Sequence, residues 1–404
     1  MRSMVAAALA IASFVPLAAS AQEPPPPPPP PAEALPPPPP PPPPVEVAPT
    51  PPAPPPAPVA APAPAGGPTL NWEALVDAFY QYNFTGKPNN QAPAGRVFDN
   101  NSNSFTLNMA KLATYMTADP VGFRIDIIYG NAGVINNGFS AGSSATTGTG
   151  VGALPNLQYV GGFYVEQAFA TLKSGMFTLD AGRFVTNASN EVIETKANFN
   201  YSRSLLFNGV PVQHTGVRLG IAVNEMLSLQ LGILNGINND PDNNKSKTFG
   251  GQIAITLPSK TSAYLNTYIG NENATDSGDT AMLFDVVVGQ ALTDTMALSL
   301  NFDYSKVGPA NWWGLCAEAK LGLSDMFFIS PRVEYLKSKG LYGGYTGAVY
   351  EGTLTAGIPV KKNYEIRAEV RADMSDKDTF GFNKGGVAKK NQVTGLIGIL
   401  AWLP

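Results

Sequence analysis

"YEIRAEVRADM", residues 364–374, alternates apolar and charged side chains along almost its whole length. Tyr364, Ile366, Ala368, Val370 and Met374 fall on one face, and Glu365, Arg367, Glu369, Arg371 and Asp373 on the other. A period of two predicts a β-strand with one face in an apolar medium and one in a polar medium. "MALSLNFDYS", residues 296–305, repeats the pattern, with Leu298, Leu300, Phe302 and Tyr304 set against Ser299, Asn301, Asp303 and Ser305. "VGFRIDIIY", residues 121–129, sets Val121, Phe123, Ile125, Ile127 and Tyr129 against Arg124 and Asp126. A soluble sandwich would alternate as well, so strand length and connection decide the fold.

Sixteen such runs of about 9 to 14 residues lie between residues 74 and 403, near the 9–11 that a tilted strand needs to cross a bilayer. Their connections alternate in kind. Short turns ("TADP", "KSG", "VNEM", "LPSK", "LTDT", "LSDM", "PVKKN") alternate with longer polar links around 85–103, 131–160, 186–211, 236–247, 272–280, 306–311, 338–344 and 375–390. Short turns on one side and long links on the other are the layout of an all-β, transmembrane antiparallel β-barrel of about 16 strands in an outer membrane. Aromatics near strand ends (Tyr80, Tyr82, Phe84, Trp312, Trp313, Phe327, Phe328, Tyr335, Trp402) suit interfacial girdles.

Residues 1–21 read as a signal peptide: Arg2, then the apolar "MVAAALAIASFVPLA", then a small-residue cleavage site. Residues 22–68 form a Pro-rich linker, disordered in the polyproline II sense; 27 of the chain's 39 prolines fall in 23–68. At about 3.1 Å per residue, that stretch could reach roughly 140 Å. It is expected in the periplasm, either as a solvated linker or as a spacer that touches the peptidoglycan wall, and the sequence does not decide between them. Residues 69–404 are then the barrel. After the signal no run of 18 apolar residues occurs, which excludes helical spans. A net charge of -4 leaves no basic footprint for nucleic acid, and the lone Cys316 excludes an intramolecular disulfide.

With no interior core expected in so wide a barrel, the polar strand faces should line a water-filled lumen. Asp77, Gln81, Asn83, Arg124, Asp126, Asp180, Asp285, Asp303, Glu318, Lys320, Arg332, Glu334 and the 365–373 ladder belong to that lining. Enzymatic chemistry finds little support. His214 is the only histidine, no G-x-S-x-G elbow accompanies it, and Cys316 lacks a basic neighbour. Asp240, Asp242 and Asn244 have the spacing that opens a calcium loop, but Lys245 and Gly251 stand where Gly and Glu are needed. No enzyme activity, metal or cofactor is expected.

"NEVIETKANFNYSRS", residues 190–204, packs Glu191, Glu194, Lys196 and Arg203 into a long link of a chain that is only 14% charged. The surrounding "DAGRFVTNASNEVIETKANFNYSRSLLFNGVPVQHTGVRL", residues 180–219, resembles the signature of the bacterial outer-membrane beta-barrel porin family of the OmpL-like, porin-2 type. The matching positions are Gly182, Phe184, Glu191, Asn198, Asn200, Tyr201, Ser202, Arg203, Pro211, His214, Gly216 and Val217; "DAFYQYNF", "DPVGFRIDIIYG" and "LQLGILNG" also fit. The signature carries a Gly just before the Glu of "EVIE", where this chain has Ala188, Ser189 and Asn190. The resemblance implies passive diffusion of small hydrophilic solutes, with outer-membrane lipid and lipopolysaccharide around the wall. A homotrimer is a further possibility that the wall pattern does not decide.

Pore constriction candidates are Glu191 and Glu194, expected to pair with Arg183, Arg203 or Arg218 across the lumen, with Arg124 and Asp126 on the wall. The competing role for the link is a latch that only pins it to the wall. The competing function is a structural or adhesion barrel tethered to the cell wall by the Pro-rich segment.

Overall fold

A computed structural model describes residues 69–85, 93, 95–117, 120–140, 162–274, 278–342, 345–380 and 389–403 of the chain. The expected signal peptide and Pro-rich linker lie outside the described residues. The alternating runs form β1 (Leu70–Asn83), β2 (Ser104–Met116), β3 (Val121–Tyr129), β4 (Phe163–Ser174), β5 (Phe177–Val185), β6 (Gln213–Ala222), β7 (Leu227–Leu234) and β8 (Thr248–Thr256). They continue as β9 (Thr261–Asn271), β10 (Thr280–Ala291), β11 (Met296–Val307), β12 (Ala310–Ser324), β13 (Phe327–Lys339), β14 (Thr346–Lys361), β15 (Tyr364–Ser375) and β16 (Asn391–Leu403). Every strand pairs antiparallel with its chain neighbour, and β16 returns to β1 from Ala74↔Leu403 to Asn83↔Thr394, closing the barrel. Closure leaves no sheet edge unpaired, which a bilayer requires.

The two faces of β15 show which side is which. Val370 and Met374 are 58% and 53% exposed on the outer wall, whereas Arg367, Arg371 and Asp373 are at most 1% exposed inside. The outer wall continues through Leu231, Leu300, Val333 and Ile397, all more than half exposed, as a lipid-facing surface should be.

Three expectations change. The link at 306–311 is no long loop: β11 runs to Val307, β12 starts at Ala310, and Gly308 takes a left-handed φ of +55° in the two-residue turn. Trp312 and Phe328 are not girdle residues, because strand register turns them inward, where they are 1% and 3% exposed. The third change is that the interior does contain apolar cores. Leu205, Leu206 and Val210 of the β5–β6 link pack with Leu234, Leu283, Trp312 and Leu336 of the wall. A second cluster joins Phe98, Met109, Ile128, Ile135, Ile193 and Phe207. Links supply these cores: residues 95–102 turn inward, and α1 (Asn131–Ser140) buries Ala132, Ile135 and Asn136.

Leu300→Arg on the outer wall of β11 is expected to cost about 2–4 kcal/mol, since an arginine near the bilayer midplane carries a penalty of that order. Urea unfolding in lipid vesicles measures it. Stability equal to that of Leu300→Ala would show that this face is not in lipid.

Candidate functional site

The β5–β6 link descends into the barrel instead of standing above it. Residues 186–190 follow the β9–β12 wall. Asn187 N–H donates to the Tyr268 hydroxyl at 3.1 Å, Ser189 N–H to Asp285 Oδ1 at 3.1 Å, and the Asn190 amide to Glu318. Ser189, within the stretch where the resembled pattern carries glycine, adopts a φ of +80°. That is left-handed backbone, which L side chains rarely take.

Deeper, the segment makes a 3-10 turn at Thr195–Ala197 against β15. Arg367 donates from one nitrogen to the carbonyls of Thr195, Asn198 and Asn200 at 3.1, 2.9 and 2.9 Å. Arg367 stands three positions into β15 from its short-turn end, so this turn lies well within membrane depth. Climbing again, Tyr201 N–H donates to Glu369 at 2.7 Å, Leu205 N–H to Glu334 at 2.8 Å, and Arg371 donates to the Arg203 carbonyl at 2.5 Å. The Asn200 amide reaches the Ser330 carbonyl and Thr355 Oγ1, each at 2.8 Å. The Tyr201 ring lies where a side chain on Gly398 would have to be: a Cβ there would come within 2.2 Å of it. The wall's charges therefore face the segment's backbone: arginines cap carbonyls, and glutamates receive N–H groups.

None of the predicted acid–base pairs across the segment forms. Glu191, 4% exposed, pairs with Arg332 at 2.9 Å and accepts Ser204 N–H at 2.7 Å. Glu194 pairs with Lys111, whose ammonium also meets Asp126 at 2.7 Å and Glu166 at 2.6 Å. Arg203 spends its guanidinium within the segment, on the carbonyls of Val192 at 2.9 Å, Tyr201 at 2.6 Å and Ile193. Arg183 pairs with Asp240 at 2.7 Å, and Arg218 with Asp180 at 2.9 Å. Arg124 pairs with Asp126 at 2.8 Å and Glu73 at 3.2 Å. Wall groups lie closer to the two glutamates than the expected arginines do, because the segment hugs β2 and β13–β15. Lys111 and Glu166 were missed by sequence reasoning; strand alternation could have placed Lys111 inward, but not opposite Glu194.

Asp126, Glu166 and Glu194 have oxygens close enough together to hold a cation, and the Lys111 ammonium contacts all three. It supplies the positive charge there. Asp240 is taken up by Arg183 and Thr215, and Asp242 by Lys247 and Asn244 N–H, so the calcium-like spacing forms a tied polar link. His214 donates from Nδ1 to the Gly236 carbonyl, 3.1 Å away, and stacks on Tyr268 with ring centroids 4.4 Å apart.

Burial opposes ionisation of Glu194, but the Lys111 ammonium outweighs it and holds the carboxyl below its ordinary value of 4.5. A depressed carboxyl contributes stability above its unfolded value, and loses it as pH falls through the lower folded value. Pepsin cleavage within 186–211 of the folded barrel is therefore expected to rise only at pH values under about 4.5, the unperturbed carboxyl range. In Glu194→Gln that component of the pH response should vanish; an unchanged profile would remove Glu194 from the latch. Arg332→Ala leaves Glu191 buried without its partner and should cost about 3–5 kcal/mol, read by chemical unfolding in vesicles.

Residues 69–402 match the family described as "Putative beta-barrel porin-2, OmpL-like". No curated protein sequence matches the chain. Among solved structures, the anion-selective porin from Comamonas acidovorans aligns with TM-score 0.55 at 10% identity, covering 83% of this chain and all of that one. OprB of Pseudomonas putida aligns with TM-score 0.55 at 13% identity, over 83% and 94% of the two chains. The trimer form of OmpT, an outer-membrane protein of Vibrio cholerae, aligns with TM-score 0.53 at 11% identity, over 83% and 99%. At such identities these structures show a shared fold. The family match, over a closed sixteen-stranded barrel with its inward-folded signature segment, makes this chain a member of the OmpL-like beta-barrel porin-2 family, an outer-membrane porin.

Proposed function

We propose that small hydrophilic solutes diffuse through this barrel along its β5–β9 side, where the 186–211 segment leaves room. One observation carries the reading: solvent access inside the barrel is lopsided. The lumen-facing charges of β13–β15 that hold the segment are buried, including Arg332, Glu334, Glu351, Arg367, Glu369 and Arg371. On β6–β8 the lumen-facing Gly216, Arg218, Gly220, Gln230, Gly232, Gly250 and Gln252 are only partly buried. Four of these seven are glycines and occupy no lumen volume with side chains. A small cleft of about 10 Å³ is lined by Asn187, His214, Arg218, Gln230 and Tyr268, with Asn187 hydrogen-bonded to Gln230 and Tyr268.

The segment turns Val192, Glu194, Lys196 and Ala197 partly to water, and the wall offers the Arg218–Asp180 pair. Charges of both signs along a narrow aqueous path favour small polar solutes over apolar ones. In this reading Glu191 and Arg203 fix the segment's shape, and Glu194 and Arg218 border the path; Arg183, Arg124 and Asp126 support the surrounding wall. The protein passes solutes down their gradient and performs no chemistry on them. OmpT's trimer form supports a homotrimer here too, with lipid around the rest of the wall.

A second reading, a closed structural barrel, draws on the two apolar clusters inside. Planar-bilayer conductance separates the two. Discrete open channels are expected, and Glu191→Gln with Glu194→Gln together should raise conductance or shift ion preference by loosening the segment. A silent barrel that co-purifies with peptidoglycan would favour the structural reading, and an unchanged conductance in the folded double variant would end the constriction role.

A further inference from the structure

On the lipid-facing wall at the long-link rim stand Lys306 of β11 and Lys337 and Lys339 of β13, all exposed, while their neighbours Ser305 and Ser338 are buried inside. Strand register sets them close together. Lys306 is opposite Asn311 of β12, Trp313 of β12 is opposite both Tyr304 and Lys337, and Lys339 is opposite Thr346. Directly beneath runs an aromatic ladder: the Trp313 and Tyr335 rings are 5.2 Å apart, and those of Tyr335 and Tyr350 5.1 Å. Such rings mark the depth where acyl chains meet headgroups. Two residues farther along a strand is roughly 6–7 Å, so Lys306 and Lys339 reach the headgroup layer itself.

The lysine ion pairs among the described residues belong to Lys111, Lys247 and Lys260. Lys306, Lys337 and Lys339 have none. The nearby acids belong to links: Asp279 shares with Lys306 a cavity of about 370 Å³ at the rim, and Asp376 accepts the Tyr345 hydroxyl at 2.6 Å. Among the described strands, no other carries an unpaired Lys or Arg on this half of its lipid face. A hydrated ammonium on a lipid-facing wall is useful where it meets anionic headgroups.

We propose that Lys306, Lys337 and Lys339 form a binding site for the phosphate groups of a phosphorylated outer-leaflet lipid, seated on the Trp313–Tyr335–Tyr350 ladder. The site rests on the outward placement of the long-link rim and not on the solute path proposed above.

The full-length protein, purified in a neutral detergent, is titrated with bis-phosphorylated lipid A, with the same lipid dephosphorylated, and with inorganic pyrophosphate, bound lipid being counted by native mass spectrometry. The phosphorylated lipid should bind best, and the combined Lys306→Gln, Lys337→Gln, Lys339→Gln variant should bind it on the order of a hundredfold more weakly, at about fivefold per lysine. Arginine at the three positions should keep the binding. Heat-modifiable gel mobility reports that each variant is folded, and single-channel conductance, expected to be unchanged, keeps this result separate from the solute path. Equal binding by the glutamine variant, equal binding of the dephosphorylated lipid, or pyrophosphate binding as tight as the lipid's would each overturn the proposal.

Discussion

An irregular backbone at membrane depth has to find hydrogen-bond partners within the protein, because lipid offers none. The 186–211 segment meets this demand through the wall. Arg367 takes three of its carbonyls, Arg371 and Arg332 take two more, and Glu369 and Glu334 receive four N–H groups between them. Each of those wall charges would be costly alone in the interior, and each is offset by a polar backbone group that would be equally costly alone. Wall and segment therefore specify each other. The charge ladder of β15 is a set of pegs for this segment more than a solvated lining.

The same constraint explains what the sequence disclosed. Period two exposed the strands, because each residue's face depends only on its parity; the 121–129 run emerges as β3 at the same limits, and the 296–305 and 364–374 runs extend only to Val307 and Ser375. Loop lengths separated the two rims, apart from the Gly308–Pro309 turn, whose polar flanks resembled a loop while the ladder continued through Val307↔Ala310. Pairings across the lumen were not legible. That Glu191 meets Arg332 and Glu194 meets Lys111 depends on how deep the segment descends and against which strands, contacts 141 and 83 residues apart in the chain. Charges alone made Arg183, Arg203 and Arg218 reasonable partners; Arg183 and Arg218 pair with Asp240 and Asp180 instead, and Arg203 is taken up by the carbonyls of Val192, Ile193 and Tyr201. The apolar cores were hidden for a related reason, since Leu205, Leu206 and Val210 looked like ordinary link residues until wall positions such as Leu336 faced them.

Charged anchoring concentrated on β13–β15, β1 and β2 has a consequence for the passage. The segment is fixed to β1 through Asp77, which receives Thr195 Oγ1 at 2.7 Å and the Tyr201 hydroxyl, and to β2 through Lys111. With β13–β15 this makes an arc of charged attachment, to which Asn187, Ser189 and Asn190 add hydrogen bonds on Gln230, Tyr268, Asp285 and Glu318. Opposite that arc, Gly216, Gly220, Gly232 and Gly250 thin the wall where water access persists. A Cβ on Gly220 would find its nearest heavy atom 3.7 Å away, so a larger residue fits there without rearranging the barrel. Bulk is therefore not excluded by packing at Gly220, whereas at Gly216 a Cβ would come within 2.3 Å of the Ile233 carbonyl oxygen. In the proposed reading, rigid charge on one side and missing side chains on the other give a wide barrel, partly filled by its own links, an aqueous side along β6–β8.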